Sequence, residues 1–127
     1  MKFRNLFALL LVVFLVGCRQ QAQTTTDTSI QIDLRQEPEA PVVGESTLIV
    51  TVRDANDQPI NDAAVTVRGD MNHAGMTPVI ETAKSGTDGE YSLPFEWTMA
   101  GDWIVEVTVE LASGDVTSQT FDLQVTR

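Results

Sequence analysis

The chain contains one cysteine and one histidine, and each scarcity removes chemistry. A lone Cys18 can close no intrachain disulfide and cannot supply the thiolate cluster of a structural zinc site. A lone His73 leaves no second imidazole for a catalytic zinc centre of the usual kind. No Gly-rich phosphate loop and no Ser-His-Asp arrangement is present. We therefore expect a protein that is not an enzyme. Basic residues are also few, 8 Lys+Arg against 18 Asp+Glu, for a formal net charge of −10. So acidic a chain does not hold nucleic acid or an anionic bilayer by charge. Sustained 3.6-residue periodicity is missing after the N-terminal segment, which argues against amphipathic helices.

What is there begins with an export signal. Lys2 and Arg4 precede an apolar stretch from Leu6 to Val16, too short for a spanning helix. It ends in Leu15-Val16-Gly17-Cys18, which resembles a bacterial lipobox. Residues 1–17 are thus expected to be a lipoprotein signal peptide, with Cys18 lipidated as the first mature residue. Loss of that segment removes Lys2 and Arg4 and leaves 6 basic against 18 acidic side chains, a formal −12. Residues 18–28, rich in Gln and Thr, read as a flexible tether. At about 3.3 Å per residue such a tether reaches some 30 Å. Residues 29–127 remain for one domain of ordinary size. The expected location is extracytoplasmic, anchored through Cys18 to a bacterial membrane.

Within that domain apolar residues alternate with polar ones. Ile30, Ile32 and Leu34 form one run; Leu48, Val50 and Val52 a second; Val65, Val67, Gly69 and Met71 a third. Val79 to Lys84 is a weaker candidate. Tyr91, Leu93, Phe95, Trp97 and Met99 share one parity, as do Trp103, Val105, Val107, Val109 and Leu111. Phe121, Leu123 and Val125 close the chain. About seven half-buried strands, separated by Gly, Pro, Asn and Asp clusters, predict an all-β, immunoglobulin-like antiparallel β-sandwich. Asp54, Asn56, Asp57, Asn61 and Asp62 could supply oxygen to Ca²⁺, but they lack the EF-hand glycine and bidentate glutamate and read as turn formers.

Two phrases carry a family resemblance. Residues 52–65, Val-Arg-Asp-Ala-Asn-Asp-Gln-Pro-Ile-Asn-Asp-Ala-Ala-Val, look like a hairpin common in exported β-sandwich modules, with Asp57 where glycine is usual. A Met/His-rich loop follows, then Gly89-Glu90-Tyr91 and Phe95-Glu96-Trp97-Thr98-Met99-Ala100-Gly101-Asp102-Trp103. In this order they resemble YtkA-like domains, the group that also contains FixH-like proteins, over roughly residues 38–125. The resemblance implies a membrane-anchored or lipidated protein that works beside copper-handling and cytochrome oxidase assembly proteins.

The remaining signal is Met71-Asn72-His73-Ala74-Gly75-Met76. Two of the three methionines beyond the initiator flank the histidine there, and Met99 is the third. Thioether and imidazole suit Cu(I). We expect Met71, His73, Met76 and Met99 to form a Cu(I) site, with the metal passed to a copper-donating or copper-accepting partner. The chemistry is similar to that of PCuAC-type carriers, with different spacings. Met99 and Met71 read equally well as core packing, and Trp97 and Trp103 read first as core. Asp70 is placed to orient His73 or to stand in solvent. The rival function is a metal-free interaction module that docks on a membrane complex.

Overall fold

The computed structural model describes residues 29–127. The expected signal peptide 1–17, the lipidation site Cys18 and the tether 18–28 lie outside the described residues. Seven strands follow in order: β1 Gln31–Glu37, β2 Gly44–Arg53, β3 Ala64–Met71, β4 Val79–Ala83, β5 Glu90–Trp97, β6 Gly101–Glu110 and β7 Val116–Val125. They form two antiparallel sheets, β1-β2-β5 and β4-β3-β6-β7. The expected all-β sandwich is therefore the observed fold.

Alternation builds both inner faces. Tyr91, Leu93, Phe95 and Trp97 of β5 are buried while the residues between them are exposed. Trp103, Val105, Val107 and Val109 of β6 and Val65, Val67, Gly69 and Met71 of β3 are likewise buried, with exposed or half-buried residues between them. Side chains of opposite parity point to solvent, so one inner face from each sheet makes the single core. Gly69 lies under the ring of Phe95 from the facing sheet. A Cβ there would sit 2.6 Å from Phe95 Cζ and 3.2 Å from Trp103 Cε3, so only glycine fits without moving either ring.

The turns are made by the predicted residues. Asp54 Oδ1 accepts backbone N–H bonds from Asn56 at 2.8 Å and Gln58 at 2.9 Å. Asp57 adopts φ 61°, which explains why glycine is the usual residue there. Thr87 and Glu90 exchange backbone hydrogen bonds around Asp88-Gly89, both at positive φ, as in a two-residue type I′ turn. One expectation fails. The run from Tyr91 stops at Trp97, so Met99 belongs to the corner before β6 and not to a strand. It is exposed, at 45 %, rather than inward.

The long 54–63 connection is pinned to the core by Tyr91. Its fully buried phenol donates to Ile60 O at 2.7 Å and accepts from Ala63 N–H at 3.1 Å. Desolvation raises its pKa above the ordinary 10.0, aided by the nearby charge of Asp62 and opposed by the Ala63 hydrogen bond. In the unfolded chain a tyrosine ionises as pH passes about 10, while folded Tyr91 still keeps its proton. The associated stability is present below pH about 10 and is lost as pH rises towards the folded value. Tyr91→Phe should cost about 1–3 kcal/mol by orphaning two buried backbone groups. It should also flatten the decline in stability above pH about 10. Urea unfolding at neutral and alkaline pH tests both; an unchanged midpoint at neutral pH would show that the two hydrogen bonds contribute nothing.

Candidate metal centre at one end of the sandwich

Three chain segments that carry methionine or histidine meet at one end. β3 terminates in Met71, 8 % exposed, whose partner on β6 is Trp103. β6 starts at Gly101 with φ +134°, and a Cβ on that glycine would lie 3.0 Å from Met71 Cε. The thioether end of Met71 thus rests against the start of β6, two residues from Met99. Trp103 Nε1–H donates to Met99 O at 2.9 Å and fastens the 98–100 corner to the core. That bond and the glycine dihedral turn the chain before Met99 can continue the strand, which is why inward parity fails there. The side chain of Met99 is left outside.

The 72–78 loop leaves from Met71. His73 is exposed, and Gly75, at φ +85°, reverses the chain. Met76 returns to pack, half-buried, against the core. Met71 and the Met99 corner are therefore brought together, Met76 lies on the same loop as His73, and His73 faces solvent. Asp70 is committed elsewhere: its carboxylate accepts from Arg68 Nε at 2.7 Å and Nη2 at 3.4 Å. That hydrogen bond raises the Arg68 pKa. Among the described residues no three His, Cys, Asp or Glu side chains converge on a metal-sized site. A centre here must draw on thioethers.

Two structural features were not singled out from sequence. Gly101 was visible only as part of a turn, although a glycine between two aromatic strands hints at close approach. The Trp103–Met99 bond has no sequence signature. Trp97, Trp103 and Phe95 complete the end as a ring cluster, with centroids 4.7 Å apart for Phe95–Trp97 and 5.2 Å for Trp97–Trp103. The core reading of both tryptophans holds, since each is at most 1 % exposed.

A family model described as YtkA-like matches residues 24–108. No curated relative matches the chain. Among solved structures, the superoxide reductase (neelaredoxin) of Ignicoccus hospitalis is similar at 9 % identity and TM-score 0.54, over 76 % of this chain and 80 % of that one. Its T24K form gives 8 % identity and TM-score 0.54, over 76 % and 79 %. The PmoD soluble domain from Methylocystis sp. ATCC 49242 (Rockwell) is similar at 16 % identity, TM-score 0.47, over 76 % and 90 %. At these identities the neelaredoxin likeness speaks for the fold alone.

Gly101 and Gly114 separate contact from backbone strain. Both have positive φ, but a Cβ on Gly114 meets nothing within 4 Å. Gly101→Ala should cost more than Gly114→Ala, by about 1 kcal/mol or more, because it also displaces Met71. Equal losses in urea unfolding would mean that Met71 is not held by this contact.

Proposed function

The chain belongs to the YtkA-like family, and we propose that it is a membrane-tethered carrier that binds Cu(I) through Met71, His73, Met76 and Met99 and hands it to a partner protein. The observation that carries this reading is the approach of Met71 to the corner that displays Met99, beside the loop that bears His73 and Met76. Neutral thioethers need no deprotonation and form no disulfides, so they suit a soft cation in an oxidising compartment. An exposed imidazole and an exposed thioether are also accessible to an incoming ligand, which is what transfer by ligand exchange requires. In this reading His73 anchors the ion, Met71 supplies the inner sulfur, and Met76 and Met99 close over it. The role is carriage rather than catalysis. Copper here is cargo.

Location follows from the N-terminal pattern. Lipid on Cys18 would hold the domain to the outer side of a bacterial membrane, and no described helix is long and apolar enough to cross it. The −12 charge of residues 18–127 opposes adhesion to anionic headgroups, so the domain would stand off on its tether. Cys18→Ser should shift the protein from the membrane fraction to the soluble one; retention in the membrane would refute anchoring through that residue.

The decisive test is a competitive Cu(I) titration against a chromophoric chelator under reducing conditions. We expect one equivalent to bind, with His73→Ala weakening affinity roughly a hundredfold, about 2.7 kcal/mol. Met99→Leu, on an exposed side chain, should weaken it without loss of fold. Absence of competition by the wild-type protein would favour the metal-free docking module instead.

A further inference from the structure

Each sheet ends in two edge strands, and three of these edges are guarded. β4 has only 5 residues and packs against β5, whose own edge holds Pro94. β1 carries Asp33, Arg35 and Glu37 between its inward-facing residues. Short strands, proline and charge are the usual means of keeping an edge unpaired. β7 is built without them. Its 10 residues run in unbroken register with β6, from Glu110↔Val116 to Gly101↔Val125. It has no proline and no basic residue, and Asp122 is its single charge.

Hydrogen bonds at both ends of β7 fix which of its backbone groups are free. At the hairpin Leu111 N–H donates to Asp115 O at 2.8 Å. At the far end Thr126 donates to Pro41 O at 3.0 Å and accepts from Val43 N–H at 2.9 Å. Antiparallel pairing alternates residue by residue, so the odd-numbered residues of β7 bond to β6 and the even-numbered ones face away. The N–H and C=O groups of Val116, Ser118, Thr120 and Asp122 therefore have no backbone partner among the described residues. The chain itself already adds to this edge at Thr126, where Val42 bridges in parallel. Inward of the edge the sandwich is open. A cavity of about 520 Å³ lies between β7 and β1, walled by Leu34, Leu48, Leu123 and Pro41. Leu34, Phe121 and Leu123 are only half-covered.

We propose that the free edge of β7 receives an extended segment of a partner protein as an added strand, apolar at every second residue and basic between. Main-chain hydrogen bonds to the even-numbered residues hold it, and its alternate side chains give the specificity. Residues directly opposite each other share a face. Side chains opposite Phe121 turn inward, onto the half-covered Phe121, Leu34 and Leu123. Side chains opposite Asp122 turn outward, where a Lys or Arg meets its carboxylate. The −12 charge of residues 18–127 favours a cationic segment. It opposes a second copy, whose β7 brings no basic residue. The tether has a cation in Arg19, but from there to Thr28 only Ala22 is apolar, so it lacks the alternating apolar face. The inference does not depend on copper binding.

The test is amide hydrogen exchange of the full-length ¹⁵N-labelled protein in detergent micelles, alone and with the acetylated, amidated peptide Val-Lys-Val-Lys-Val-Lys-Val. Alone, the amides of Ser118, Thr120 and Asp122 should exchange fast, while those of Gln119 and Phe121 are protected by β6. The peptide should slow the first set saturably. N-methylation of its lysines, whose N–H groups would face β7, should abolish that effect, and N-methylation of its valines should preserve it. Glutamate in place of lysine should weaken binding roughly tenfold. Asp122→Asn should weaken it roughly threefold. Thr120→Pro, where the N–H points away from β6, should abolish binding with the fold retained. Edge amides already protected without peptide would overturn the proposal: protection lost on dilution assigns the edge to a second copy, and protection kept assigns it to the tether. No saturable slowing, equal binding of the glutamate peptide, or indifference to lysine N-methylation would overturn it as well.

Discussion

Phe95 reaches across the sandwich and rests on the backbone of Gly69, and the arrangement of the whole metal-candidate end depends on that contact. Sheets pack about 10 Å apart when ordinary side chains interdigitate. Here the missing side chain on β3 lets a phenyl ring fill the gap alone, with Trp103 against the same glycine. The Phe95–Trp103 centroids lie 6.4 Å apart with planes at 76°, and Trp97 meets Trp103 at 79°. Edge-to-face geometry of this kind fixes ring positions as well as burying area. Because Phe95 and Trp97 belong to one sheet and Trp103 to the other, the cluster sets the position of β5 against β6. The corner that joins those strands follows, and with it Met99.

The same cluster stands in for covalent stapling. Its two tryptophans are the largest fully buried side chains among the described residues, and the buried valines of β3 and β6 continue the core. A domain that has no cysteine after residue 18 must rely on such burial. The two ends of the sandwich are built differently as a result. At one, Asx hydrogen bonds from Asp54 and a type I′ turn at Asp88-Gly89 shape the chain reversals. At the other, the 38–43, 72–78 and 98–100 segments carry methionine, histidine and an open cavity mouth. Function is more economically placed at the second end, where side chains are not consumed by turn formation.

Period-two alternation made the fold legible, because half-buried antiparallel strands impose it directly. All seven runs read from sequence became strands, including the weak one at Val79. The failures have a common cause. Parity counts forward as long as residue types permit, and Met99 permits it, yet the chain turns first because Gly101 adopts a left-handed dihedral and Trp103 grips the Met99 carbonyl. Neither constraint is local to Met99. Gln36 shows the reverse case: it follows Leu34 at inward parity and is buried, yet its polarity kept it out of the apolar run. Asp57 was legible only as an oddity, a residue in a glycine position, until its dihedral supplied the reason. The grouping of Met71 with Met99 was expected from their chemistry, but the register that sets Met71 beside Trp103 on neighbouring strands of one sheet is not specified by alternation.

The electrostatics of the domain bear on what the proposed thioether site would select. A formal −12 concentrates cations of every kind near the surface, within a screening length of about 8 Å at physiological ionic strength. Concentration alone does not discriminate. Hard divalent ions need several oxygens around one point, and among the described residues the acidic side chains do not converge in that way. Thioethers are neutral and soft, so they gain little from a hard ion and much from Cu(I). One acidic surface would thus collect cations in common, and the proposed thioether set would select among them by chemistry rather than by charge.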